Sequence, residues 1–184
     1  MILLARHGET DDNVPPQRVQ GWIDSPLNER GRAQARELAA AVEDRGVRSV
    51  YSSHLGRARE TAVIVAGELG LEVQVDGRLA ESRRGDWEGR LLTEIERDEP
   101  ELWAAWRRGG AQFRFPAGES LAEHADRVAS ALADVRAGQL PALCVCHGGT
   151  IRCAFALTNP RGLDSFHELD VPNAVPLELS ADRA

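Results

Sequence analysis

The sequence predicts an α/β fold with a mainly parallel sheet, in a single domain spanning 1–184. Three observations carry that expectation. Short apolar runs suited to buried strands alternate with segments of helical period along the chain. A length of 184 residues supports one domain with a substantial core and is short for two. The composition, 42% hydrophobic and 28% charged, is that of an ordinary globular chain and argues against disorder.

The opening "MILLA" is a continuous apolar run of the kind that fills a central strand buried on both faces. Residues 11–27 hold Asn13, Pro15, Pro16, Gly21 and Pro26, which is loop chemistry. Asn28 caps a helix reaching about Asp44, with Ala33, Leu38, Ala41 and Val42 as its apolar stripe and Gly46 as its stop. "VRSVYSS" reads as a second strand. A helix then runs from Arg57 to Leu69, ended by Gly70, and "LEVQVD" alternates as a third strand.

Between Ala80 and Ala117 the period becomes ragged around Gly85, Gly89, Pro100, Gly109, Gly110 and Pro116, with short helices expected within 91–108. Ser120 and Glu123 form a capping box ahead of a helix ending near Ala137. "ALCVC" is the fourth strand, "GTIRCAFAL" opens a helix, and "PLELS" is a last edge strand.

A net charge of −7 argues against a nucleic-acid partner or an acidic membrane surface. All 22 positive residues are Arg, so any bound anion meets planar guanidinium forks. Cys144, Cys146 and Cys153 are expected as buried free thiols in a reducing compartment, with Cys144 and Cys146 on one face of their strand. No signal peptide or ~20-residue apolar span is evident, so a cytoplasmic location is expected.

Polar chemistry gathers at strand ends, where ligands bind in open α/β sheets. "RHGET" follows strand one, "SSHLGRARETA" strand two and "CHGGTIR" strand four. His7 alone would be read as a strand-end residue satisfied by a carbonyl. His147 repeats the pattern, and neighbouring strands would bring both imidazoles into one crevice. Arg57 opens a helix, a position that opposes the macrodipole unless an anion is near. Arg6, His7, Arg57 and His147 form a donor set suited to a tetrahedral dianion. Two histidines without further ligands are a poor zinc site, so no metal or other cofactor is expected.

These segments, with "LAESRRGDWEG" and "QGWIDSPLNERGRAQA", resemble the histidine phosphatase superfamily, the phosphoglycerate mutase-like proteins, in order from Ile2 to about Leu157. The resemblance implies a three-layer α/β/α sandwich with a lid-like insertion about 80–119. It implies metal-independent phosphoryl transfer through a phosphohistidine intermediate. Because the mutases it resembles carry a longer closing segment than the residues between Ala80 and Ser120 supply, a phosphatase acting on a small anionic metabolite is expected. His7 would be the nucleophile, Arg6, Arg57 and His147 the phosphoryl clamp, and Glu81 the acid and base. Asn13, Gln20, Gly21 and Gly148 would complete the substrate contacts. The residues themselves leave Glu81, Asp86 and Glu88 unranked.

Two alternatives stay open: a mutase that returns the phosphoryl group to another hydroxyl, and a non-catalytic phospholigand module. A homodimer is compatible with the resemblance. Arg83 and Arg84 read as solvated or fringe charges, and His124 as exposed. His54 departs from the family's usual Pro or Asp and reads as a surface histidine. Trp87, Trp103, Trp106, Phe113 and Phe115 read mainly as lid packing, with one or two facing the pocket.

Overall fold

The computed structural model describes residues 1–179; Ser180, the last residue of the "PLELS" segment, lies outside them. Five strands form one sheet: β1 (Ile2–Arg6), β2 (Ser49–Ser52), β3 (Val73–Val75), β4 (Ala142–Cys146) and β5 (Pro176–Leu179). Their order is β3-β2-β4-β1-β5, with β5 antiparallel and the other pairings parallel. The mainly parallel sheet follows from the alternation of strand and helix, because parallel neighbours need crossovers.

Alternate strand residues feed two cores. Leu3, Ala5, Val50, Leu143 and Val145 point to one face, covered by α1 (Glu29–Val42) and α2 (Gly56–Leu69). Ile2, Leu4, Cys144 and Cys146 point to the other, covered by α5 (Leu121–Ala137) and α6 (Gly148–Ala156). The result is the α/β/α sandwich. Cys144, Cys146 and Cys153 are free and buried in the second core, as the Cys-x-Cys spacing requires.

Asn28 caps α1 through its side chain, which accepts from the Gly31 amide. The stripe differs from expectation: Ala35, Leu38, Ala39 and Val42 are buried, whereas Ala33 is half-buried and Ala41 exposed. The i, i+3, i+4, i+7 set starting at Ala35 is the one aimed at α2 and the sheet.

The segment 80–119 carries α3 (Leu92–Asp98) and α4 (Pro100–Arg108). Its aromatic residues pack on one another around Trp87, whose ring lies 5.5 Å from Phe115 and 5.9 Å from Trp106. Trp87 Nε1 donates to Glu99, so the buried indole is satisfied. No helix among the described residues is long and apolar enough to cross a membrane.

Candidate active site

β1 and β4 end in register, Arg6 beside Cys146, so the residues that follow them leave the sheet together. The His7 and His147 ring centroids lie 5.2 Å apart. Gly8 follows His7 because nothing larger fits: a Cβ there would sit 2.3 Å from the Gly31 carbonyl oxygen. The Gly8 amide donates to Thr61 Oγ1 at 3.0 Å, and Thr61 donates to the Arg57 carbonyl at 2.8 Å. Helices α1 and α2 therefore fix the loop that carries His7.

His7 is buried, and its Nδ1 lies 2.7 Å from the Gly8 carbonyl. A carbonyl only accepts, so Nδ1 carries the proton and Nε2 keeps its lone pair. Arg57 Nε donates to that lone pair at 3.2 Å. Burial, then His147, Arg57 and Arg6, hold the His7 pKa well below its ordinary value, so the ring is neutral near pH 7. Arg57, pushed down to about 10 chiefly by burial, remains charged. Its two Nη groups donate to the carbonyls of Ile23 and Gly21 at 3.0 and 2.7 Å.

His147 pairs through Nε2 with Ser53 Oγ at 2.9 Å, and its buried Nδ1 has no partner among the described residues. Arg6 donates through Nη1 to the Val171 carbonyl at 3.2 Å, while its buried Nε is likewise unpartnered among the described residues. Asn173 was not anticipated from sequence. Its amide donates to the His7 carbonyl at 2.8 Å and to Asn13 Oδ1 at 3.2 Å.

The structure ranks the three acids. Asp86 is exposed, and Glu88 accepts from the Trp22 and Arg84 amides as a loop tie. Glu81 is buried near the His124 ring; its Oε1 accepts from the Ser82 amide at 2.8 Å and its Oε2 from the Gly149 amide at 3.1 Å. Burial raises the Glu81 pKa, but Arg84, His124 and these two amides outweigh it, and the carboxyl falls well below the usual range. Arg84, with Nη2 3.7 Å from Glu81 Oε2, thus belongs to the site and is no fringe charge, although Arg83 is exposed.

The backbone beneath Glu81 is held by α5. Arg127 donates to the carbonyls of Arg78, Ala80 and Glu81 at 2.8, 2.6 and 2.8 Å and pairs with Glu119. His124 corrects the expectation of exposure: it is fully buried, with Nε2 3.2 Å from Thr150 Oγ1. The capping box at Ser120 sets where the helix begins, but the face carrying His124 is the one turned to α6.

Above these residues opens a cavity of about 290 Å³. Arg6, Asn13, Gln20, Gly21, Glu81 and Gly148 line it, with Trp106 as its aromatic wall, whereas His7, Arg57 and His147 are not among its lining residues. Arg84, Arg107, Gly149, Arg152 and His167 line it too, and Arg152 and Gly149 were not singled out from sequence. His54 is exposed and packs edge-on to Trp22 instead. Among the described residues, no group of three or more His, Cys, Asp or Glu side chains is placed to hold a metal ion.

A family model for the histidine phosphatase superfamily, branch 1, matches residues 2–183. An Escherichia coli protein named "Probable phosphoglycerate mutase GpmB" is 38% identical over 159 residues, covering 83% of this chain and 71% of its own. A mycobacterial glucosyl-3-phosphoglycerate phosphatase solved with VO3 aligns with a TM-score of 0.87 at 35% identity, covering 95% of this chain and 90% of its own. The alpha-ribazole phosphatase of Shigella flexneri aligns with a TM-score of 0.80 at 29% identity, covering 95% and 87%. With a whole-chain family match and phosphatases sharing its architecture, the chain belongs to the histidine phosphatase superfamily, branch 1, as a phosphoglycerate mutase-like phosphohydrolase.

Proposed function

We propose that this protein hydrolyses a small phosphomonoester, without a metal ion, through a phosphohistidine on His7. The observation that carries the reading is the His7 tautomer. With Nδ1 bound to the Gly8 carbonyl, the lone pair on Nε2 faces Arg57 in a buried, cationic pocket. In the first step Nε2 attacks phosphorus in line, and the bond to the ester oxygen breaks. Arg6, Arg57, His147 Nδ1 and the α6 N-terminus at Gly148 hold the phosphoryl oxygens as charge spreads over them.

Glu81 gives its proton to the departing alkoxide. It then takes one from the water that displaces His7 and releases phosphate. Arg84, His124 and the Ser82 and Gly149 amides favour the ionised carboxyl. A bound dianion offsets the arginines and adds like charge, so substrate binding and proton uptake by Glu81 are coupled. Asn13, Gln20 and Gly21 complete the substrate wall, and the segment about 80–119 acts as the lid. A cytoplasmic setting and a small-molecule partner, with no nucleic acid, fit the net charge of −7 and the three free cysteines.

The mutase reading rests on the name of the Escherichia coli relative. One experiment separates the two. Acid-labile, alkali-stable phosphate should appear on the wild-type chain after rapid quench, with inorganic phosphate as the product in the presence of EDTA. His7→Ala should lose both. Phosphoryl return to a second hydroxyl in place of phosphate release would favour the mutase, and full turnover by His7→Ala would remove the nucleophile assignment.

A further inference from the structure

The two site histidines are held at different nitrogens by groups of different hydrogen-bonding character. His7 Nδ1 meets the Gly8 carbonyl, which only accepts, so that ring keeps its proton on Nδ1 and presents a bare Nε2. His147 makes its contact at Nε2 instead, 2.9 Å from Ser53 Oγ, and its buried Nδ1 has no partner among the described residues. A hydroxyl can give or take a hydrogen bond, so the tautomer of His147 turns on what else Ser53 touches.

Ser53 follows β2 directly and is fully buried. Its amide donates to the Val145 carbonyl of β4 at 3.1 Å, which sets it beside the strand end that delivers His147. In the turn that opens α2, the Leu55 amide donates to Ser53 Oγ at 3.2 Å. That bond occupies an acceptor lone pair and leaves the hydroxyl proton to be placed. Among the described residues, His147 Nε2 is the acceptor within its reach. The Ser52 hydroxyl does not compete, because it donates to the Ser53 carbonyl at 2.8 Å.

Were His147 Nε2 protonated, two donors would converge on Oγ, and the hydroxyl hydrogen would be buried without an acceptor. Interiors avoid that arrangement. The His147 ring is neutral, since burial, then Arg57 and Arg6, hold it well below its ordinary pKa, and it has one proton to place. With Nε2 accepting from Ser53, that proton sits on Nδ1. Arg6 Nε, also buried and unpartnered among the described residues, is a donor by constitution. A bare Nδ1 would turn a lone pair on the same anionic oxygens that Arg6 attracts.

We propose that Ser53 is a positioning residue that makes His147 a donor, by giving its hydroxyl proton to Nε2 and so holding the Nδ1–H tautomer. The use of that N–H, donation to a phosphoryl oxygen, rests on the phosphatase reading of the same site; the tautomer does not. The Gly8 carbonyl makes His7 the lone-pair ring, and Ser53 makes His147 the N–H ring.

The test uses the full chain labelled with [15N]histidine, its ring signals assigned through their own backbones. Long-range 1H–15N spectra tell a protonated ring nitrogen from a bare one. Near neutral pH the wild-type His147 should show a protonated Nδ1 and a bare Nε2. Ser53→Ala should lose that single state and move protonation towards Nε2. Its kcat/KM on 4-nitrophenyl phosphate should fall roughly ten- to hundredfold, and inhibition by orthovanadate should weaken by a similar factor. Ser53→Thr keeps the hydroxyl and should recover both spectrum and rate.

A wild-type His147 protonated at Nε2 overturns the proposal, with no variant needed. So does a Ser53→Ala chain that keeps the wild-type tautomer, whatever its stability, because Ser53 would then be structural only. If no phosphomonoester is hydrolysed, the phosphatase reading has failed, and the spectra, which need no substrate, still decide the tautomer.

Discussion

Gly149 touches the proposed acid directly, which makes Gly149→Ala a sharp test of how Glu81 is positioned. A Cβ at residue 149 would lie 2.2 Å from Glu81 Oε1 and 3.2 Å from the His124 ring. Ordinary contact begins near 3.4 Å, so the carboxylate must retreat by about 1 Å. It cannot swing away freely, because the Ser82 and Gly149 amides hold its two oxygens and Arg84 sits beside it. The helix itself loses nothing: Ala is favoured over Gly inside a helix by about 1 kcal/mol. The substitution therefore displaces the acid while leaving the fold intact.

A misplacement of about 1 Å in a catalytic group lowers rate by roughly 100-fold. The loss should depend on the leaving group. An alkyl phosphate expels a strongly basic alkoxide that needs the proton, whereas 4-nitrophenolate departs without one. Gly149→Ala should thus lose about 100-fold in kcat/KM, which reports the first phosphoryl transfer and not the shared hydrolysis step, on glycerol 3-phosphate but less than about tenfold on 4-nitrophenyl phosphate. Glu81→Gln should show the same split. Equal losses on the two substrates would refute the placement argument. Equal losses for Glu81→Gln as well would refute the acid itself.

Arg127→Gln should destabilise the chain by roughly 2–4 kcal/mol in urea unfolding, because three loop carbonyls and Glu119 lose one guanidinium at once. The soluble variant should also show the leaving-group split, since the clamp sets the backbone of Glu81; uniform losses would make Arg127 merely structural. Acid stability should follow His124, which burial pushes down to about 3, whereas an unfolded histidine titrates near 6.5. A depressed folded value means stability is complete above about pH 6.5 and declines as pH falls towards 3, by up to about 1.4 kcal/mol per unit for this group. His124→Gln should lessen the urea midpoint's dependence across that window without abolishing it, because the buried His7 and His147 shift the same way, and an unchanged slope would count against it.

Much of the fold was legible because its signals are local. Asn28, Ser120, Gly46 and Gly70 mark helix ends by capping and left-handed geometry, and the structure ends those helices at or within a few residues of them. The juxtaposition of His7 and His147 was legible because both follow apolar strands, and β1 and β4 are adjacent. The shortfalls are long-range. Nothing near Arg127 in sequence says that it clamps Arg78–Glu81, and nothing near Asn173 says that it carries the His7 carbonyl. His124 was misjudged because a cap predicts where a helix starts and not which face is buried. Gly149 was passed over beside Gly148, since only the packing of Glu81 against α6 tells two adjacent glycines apart.

The distribution of unmatched groups ties these points together. Four buried side-chain polar atoms lack a partner among the described residues: Arg6 Nε, His147 Nδ1, Trp106 Nε1 and His124 Nδ1. Two of them, Arg6 and Trp106, line one cavity, His147 stands beside His7, and His124 packs behind Glu81. Interiors are otherwise satisfied, and departures from that rule gather where a ligand completes the structure. On the proposed reading, the crowded arginines and the ionised Glu81 are the charges that a bound dianion would rebalance, while His7 stays neutral to attack. On the proposed reading these donors are placed to meet a phosphoryl group, whose charge the arginines would match.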